Sequence, residues 1–183
     1  MSKLLRNLRY DWPLHFVLVL TNWLPDNVVF LRLRGWLARP FLGACGTDLR
    51  IGRNVTFYNP RLISFGAHVY VANGCIFLAV EQIKVEDEVM FGPYVVVAAG
   101  NHGRAGNSYR FGDSIREPIF IGRGTWIAAH VCILAGARIG EGCVVAANAV
   151  VLRGKYSDHV LLAGVPASVK KMWEADAPWE QRL

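Results

Sequence analysis

From Ile121 onward every sixth residue is aliphatic: Ile121, Ile127, Ile133, Ile139, Val145 and Val151. A small residue, often Gly or Ala, frequently follows. The same register returns upstream in three shorter sets, Ile51 and Phe57, then Phe65, Val71 and Phe77, then Val85, Phe91 and Val97. Slips of two residues separate these sets, and all fourteen register positions are apolar. Six is a poor period for an α-helix, which repeats every 3.6 residues or so. It suits a short strand followed by a sharp turn, and three such units close a triangle of about 18 residues. Each inward Ile or Val then stacks on its equivalent one coil later, and the small residue lets the chain turn the corner. The pattern predicts an all-β fold, a parallel β-helix of about five coils over 51–156 in which each coil touches only its neighbours.

The period fails in two places. Between His102 and Pro118 the chain reads GRAGNSYRFGDSIRE, polar and aperiodic. A long excursion from a regular scaffold commonly carries function, so 103–117 is read as a functional loop. Residues 1–45 do not repeat either. Trp12, Phe16, Leu20 and Trp23 are near helical spacing, as are Val28, Leu31 and Leu37, with Pro13, Pro25 and Pro40 between. This predicts two short helices forming a cap over 1–45. The Trp12–Trp23 stripe is expected to cover the first coil near Ile51 and Phe57. The prolines favour that role over a membrane contact, because they break the segment into pieces too short for a good interfacial helix. The β-helix domain is expected over 46–167 and a short C-terminal helix and tail over 168–183.

Composition narrows the classes. At 183 residues, with 53% hydrophobic and 19% charged, the chain fits one folded domain and not a disordered one. No apolar run exceeds six residues, and the one near the start, Phe16–Leu20, falls far short of the roughly 20 residues that cross a bilayer. The segment starts too late for a secretory leader and lacks a small-residue cleavage site. The expected location is the cytoplasm, with the inner face of the membrane as its limit. The net charge is +6, and residues 1–53 hold eight basic residues against three acids, 8 − 3 = +5. The arginines alternate with Leu and Trp. A solvated amphipathic face is therefore the first reading, a peripheral membrane or acidic-glycan contact the second, and nucleic acid the last, not expected as a partner. Cys45, Cys75, Cys132 and Cys143 show no C-x-x-C pair and no zinc spacing, so free thiols are expected and no metal.

Three segments carry a resemblance: GNH at 100–102, the run PIFIGRGTWIAAHVCILAGARIGEGCVVAANAVV at 118–151, and AGVPA at 163–167. Together they resemble the left-handed β-helix hexapeptide acyltransferases. Within these, the match is to the sugar O-acetyltransferases of galactosides, maltose and exopolysaccharides. The resemblance covers about 45–171. It implies a left-handed winding, against the usual right-handed crossover. It also implies acetyl-CoA as co-substrate, a homotrimer with sites between adjacent subunits, and direct transfer to a sugar hydroxyl of a surface glycan or its precursor.

Such a transfer needs a base for the hydroxyl proton, donors for the tetrahedral oxyanion and a slot for the coenzyme arm. Histidine suits the first task. The resemblance assigns it to His102, while His15, His68, His130 and His159 read as structural; the sequence leaves open what orients His102, with a backbone carbonyl and Glu117 as the two options. Trp126 is implied to pack along the coenzyme arm. Ala128 and Ala129 leave a slot, and Ala146 and Ala147 offer backbone groups to the pantetheine amides. Arg153, Lys170 and Lys171 are implied phosphate contacts. Acceptor candidates are Asn73, Asn101, Tyr109 and Arg110, with Tyr58 and Asn59 behind them. Three rivals stay open: a zinc carbonic anhydrase, weakened because 103–107 holds no histidine, a non-catalytic scaffold, and an acetyltransferase acting on an amino sugar, serine or xenobiotic.

Overall fold

A computed structural model describes residues 2–175. Short strands stack in parallel on three faces of a triangular prism. The first face aligns Cys45, Phe65, Val85, Ile121, Ile139 and Tyr156. The second aligns Ile51, Val71, Phe91, Ile127, Val145 and Leu162. The third aligns Phe57, Phe77, Val97, Ile133 and Val151. Of the fourteen register positions, Phe57 is half-buried and the rest are buried. The described residues make five complete coils and two faces of a sixth, because the first strand, Ala44–Cys45, precedes the predicted start. The winding is left-handed.

Apart from the two ends of the first face, each face also buries the residue two before its register position. On the second face this adds a column of Leu49, Val69, Val89, Thr125, Cys143 and Val160. Thr125 is the polar member. Its hydroxyl donates to Gly140 O at 2.9 Å and accepts the Cys143 N–H at 3.1 Å, so no buried polar atom is stranded there. The corners between faces repeat as well. His68, Glu88, Gly124, Gly142 and His159 hold positive φ at one corner, and Tyr94, His130 and Asn148 at the next. Their N–H groups donate to carbonyls of the coil before, as His130 does to Pro93 O at 2.9 Å. The first two-residue slip is filled by a 3-10 turn, Pro60–Leu62. Burial pushes the Cys75 thiol up to about 11, and all four cysteines are free.

The cap is helical, as expected, but is built differently. Helix α1, Lys3–Arg6, runs through a π-helical turn, Asn7–Asp11, into α2, Trp12–Thr21. Pro13 therefore does not break the segment. It sits at the start of α2, and the Trp12 N–H reaches back five residues to Asn7 O, the wider turn that accommodates a missing donor. A loop containing Pro25 leads to α3, Val28–Ala38, whose Asn27 side chain caps it by accepting from the Val29 and Phe30 N–H groups. The Trp12, Phe16, Leu20, Trp23 stripe does not cover the first coil. Leu14 and Leu18, on the opposite side of α2, are buried and join the solenoid core, while the stripe faces outward. The cap is fastened by Arg34, which is 0% exposed, so the basic segment is not wholly a solvated face.

At the other end the sequence predicts a helix where the chain forms a strand, Ser168–Met172. It pairs antiparallel with Val160–Ala163, the last strand of the second face. That strand would otherwise present an unpaired edge, and the returning chain satisfies it. The rest of the predicted tail, 176–183, lies outside the described residues.

Candidate active site

The excursion is more ordered than the sequence suggests. Its base is an antiparallel ribbon, with Gly100 opposite Arg116, Asn101 opposite Ile115 and His102 opposite Ser114. The ribbon leaves the solenoid at the corner after the third face, where Gly100 lies against Val80. Beyond it Gly103 N–H donates to Asp113 O at 2.7 Å, and the Ala105–Ser108 pair closes the tip. Tyr109 and Arg110 lie in the outer loop, exposed, with the Arg110 guanidinium 5.8 Å from the centre of the Phe111 ring.

The ribbon sets His102 apart from the other histidines. His15 is on α2, and His68, His130 and His159 occupy positive-φ corner positions, where His130 stacks on Tyr94 at 5.2 Å. His102 alone stands on the excursion, exposed, beside Asn101, whose Oδ1 accepts the His102 backbone N–H at 2.8 Å. Neither expected orienting group holds its ring: among the described residues the imidazole has no hydrogen-bond partner. Glu117 instead pairs with Arg153, Oε2 to Nε at 3.3 Å, across Gly136. A Cβ there would strike the Glu117 carboxylate and the Arg153 side chain, and φ is +81°, so glycine is required twice over. Arg153 thus lies at the base of the excursion, not on the face of Trp126.

The second group gathers on the second face and its following corner. Trp126 is exposed between Met90 and Val144 of the adjacent coils. Ala128 and Ala146 follow one position past the register, in a column of small residues with Gly52, Ala72 and Gly92. Their N–H groups are committed to the solenoid, to Val145 O at 2.9 Å and Leu162 O at 2.8 Å. The next column runs Asn73, Pro93, Ala129 and Ala147, one to a coil, and the N–H groups of Ala129 and Ala147 take no part in that ladder. Of the four alanines, Ala129 and Ala147 therefore suit amide contacts by their N–H groups. They leave a strip nearly flush with the backbone, which fits an extended pantetheine arm. Lys170 and Lys171 are exposed on the returning strand, three strand positions from Trp126 in the same sheet. At about 4.8 Å per strand that is roughly 14 Å. Tyr58 and Asn59 lie on the first coil, where the Asn59 N–H donates to Asp11 Oδ1 and its side-chain amide to Ala79 O, which ties Asn59 to structure.

Two groups result, on different parts of the prism. Asn101, His102, Glu117 and Arg153 surround the ribbon, whereas Trp126, the alanine strip, Asn73 and the two lysines belong to the second face and its edge. The Glu117–Arg153 pair was not legible as a pair, since 36 residues separate its members.

Known proteins share this architecture. Residues 118–153 match the bacterial transferase hexapeptide family (six repeats). A putative lipopolysaccharide biosynthesis O-acetyl transferase of Escherichia coli K12 is 28% identical over 153 residues, 74% of this chain and 72% of its own length. Other curated relatives match over 42% to 59% of their length. A maltose O-acetyltransferase from Clostridium difficile 630 superposes with a TM-score of 0.80 at 26% identity, covering 93% of this chain and 89% of that one. A hexapeptide-repeat acetyltransferase from Vibrio cholerae, complexed with acetyl coenzyme A, has the same fold, with a TM-score of 0.80 at 24% identity over 94% and 91% of the two chains. With its inward Ile/Val columns, its three-faced coil and its excursion after the third coil, the chain has the left-handed β-helix fold of these acetyltransferases and carries the transferase hexapeptide repeat over 118–153.

Proposed function

We propose that the protein moves an acetyl group from acetyl-CoA to a sugar hydroxyl of a surface glycan or its precursor, with His102 as general base. The observation that carries this reading is the placement of His102, an exposed imidazole raised off the solenoid by a hydrogen-bonded ribbon. The names of the E. coli and C. difficile relatives support the sugar hydroxyl, and the V. cholerae complex supports the donor. In the reaction the hydroxyl oxygen attacks the thioester carbonyl carbon while the His102 imidazole takes the hydroxyl proton. The C–S bond breaks as the ester forms, and the departing thiolate takes a proton to leave as free thiol.

A homotrimer is part of the proposal. His102 stands on the ribbon at the corner after the third face and Trp126 on the second face of the same chain, and a neighbour docked on the prism supplies the second wall. Light scattering should therefore give three chains per particle, and a fully active monomer would overturn the shared site. The activity is tested by an acceptor screen with acetyl-CoA, corrected for hydrolysis, over mono- and oligosaccharides. His102→Ala should lower turnover by about 10²–10⁴-fold, the usual worth of a general base, with coenzyme binding little changed in calorimetry. Turnover like that of the wild type would move the base elsewhere.

A further inference from the structure

Helix α2 is apolar on two opposite sides. Leu14 and Leu18 point into the first coil. Trp12, Phe16, Leu20 and Trp23 lie on the other side, 47%, 60%, 69% and 79% exposed. A surface helix ordinarily carries its polar residues there, yet no charged residue stands between Trp12 and Trp23. Through α1 the helical stretch runs from Lys3 to Thr21, and Leu4, Leu5 and Leu8 extend the exposed apolar surface. Among the described residues no helix is long and apolar enough to cross a membrane.

The charges around this face are sorted by sign. All three acids of residues 1–53 are turned to internal work. Asp11 accepts the Asn59 N–H, Asp26 pairs with Arg34 and Arg53, and Asp48 pairs with Arg32 and Arg50. Arg9, Arg39 and Arg61, by contrast, are exposed and have no acidic partner among the described residues. Arg61 belongs to this end because its carbonyl lies against Gly43. The cap therefore shows solvent an apolar, Trp-bearing stripe together with uncompensated positive charge.

We propose that the helical cap docks on an anionic membrane surface, the stripe of α2 lying in the plane of the headgroups with Arg9, Arg39 and Arg61 against acidic lipids. Exposed Trp and Phe beside cations is the composition of an interfacial helix. A second copy seated symmetrically on the same face would bring the three arginines against their own equivalents, and like charges oppose that arrangement. The continuity of the helix through Pro13 removes the sequence-based objection that the segment is too fragmented to lie on a bilayer.

The test is co-sedimentation of the intact protein with vesicles of phosphatidylcholine alone and of phosphatidylcholine mixed with phosphatidylglycerol, at low and at high salt. Binding to the mixed vesicles, weakened by salt, is expected. Combining Arg9→Gln, Arg39→Gln and Arg61→Gln should weaken it by about two orders of magnitude, since each cation near such a surface is worth about fivefold. Phe16→Ser with Leu20→Ser and Trp23→Ser should abolish it while changing the thermal melt of the folded protein little, because these side chains are mostly exposed. His102→Ala should bind the vesicles like wild type, so docking and acetyl transfer fail or stand separately. No binding to the mixed vesicles, equal binding to both kinds, or an assembly that the Phe16, Leu20 and Trp23 changes split apart while vesicles go unbound would each overturn the proposal.

Discussion

Arg34→Ala should detach the cap. The guanidinium is enclosed by α3, the end of α2 and the first coil. Its Nη1 donates to Asp26 Oδ1 at 2.8 Å and to Ile51 O at 3.1 Å, and its Nη2 donates to Leu24 O at 2.6 Å. Thr21 O is shared by Nε and Nη2 at 3.4 Å each. Truncation removes all of these donors and leaves a void. Breaking a buried ion pair from one side commonly costs about 3–5 kcal/mol. The low end applies here, because Asp26 keeps the Arg53 backbone N–H at 3.1 Å and the Arg53 guanidinium at 3.4 Å and so is not stranded. A loss of about 3 kcal/mol corresponds to about 6–12 °C in melting temperature for a chain of this size. Because coils interact only with their neighbours, the loss should fall first on the cap. Limited proteolysis should cut within 22–27 before the solenoid yields. Arg34→Lys should recover only part of the stability, since one ammonium cannot span Asp26 and three carbonyls. An Arg34→Ala protein that melts within a degree or two of wild type and resists proteolysis at 22–27 would refute the assignment of Arg34 as the fastener.

Gly35→Ala, which in an exposed helix gains about 1 kcal/mol, should instead destabilise by about 1–3 kcal/mol, because the added Cβ lands on the Leu49 carbonyl; a melt shifted upward would contradict the close approach of α3. Trp126→Ala should raise KM for acetyl-CoA far more than KM for the sugar, and unchanged coenzyme affinity in calorimetry would move the groove off the second face. Hydrogen bonds from Arg50 and then Arg32 hold the Asp48 carboxyl well below the usual carboxylate range. Its contribution is therefore complete above about pH 5 and is lost as pH falls through the lowered native value. Asp48→Asn should melt below wild type at neutral pH, with the gap closing only in strong acid; a gap that widens on acidification would reverse the sign of this linkage.

The solenoid was legible because one residue type recurs at one period: an Ile or Val every sixth position has no other economical fold. The second inward column escaped notice because its members, Leu49, Val69, Val89, Thr125, Cys143 and Val160, mix aliphatic, polar and sulfur side chains that share shape more than polarity. His102, Asn101 and Trp126 stand out in the sequence by their motifs. That Trp126 falls on the second face while Asn101 and His102 stand on the ribbon follows from the count of strands, three to a coil, and not from any single residue.

The cap shows where periodicity runs out. In α2 both Leu14–Leu18 and Trp12–Phe16–Leu20–Trp23 are helical stripes, so hydrophobic spacing alone has two solutions about half a turn apart. The choice is made outside the helix. Gly35 brings α3 against the backbone of Leu49, which fixes the height of α3 over the first coil. Arg34, its neighbour in α3, then reaches the Thr21 and Leu24 carbonyls at the end of α2 and so sets the rotation of that helix. With that rotation fixed, Leu14 and Leu18 meet the core and the aromatic stripe is left facing outward. A buried cation and a glycine thus decide which apolar face is spent on folding and which is presented to a partner. Neither signal is hydrophobic, and for that reason the apolar pattern could not have chosen between the two.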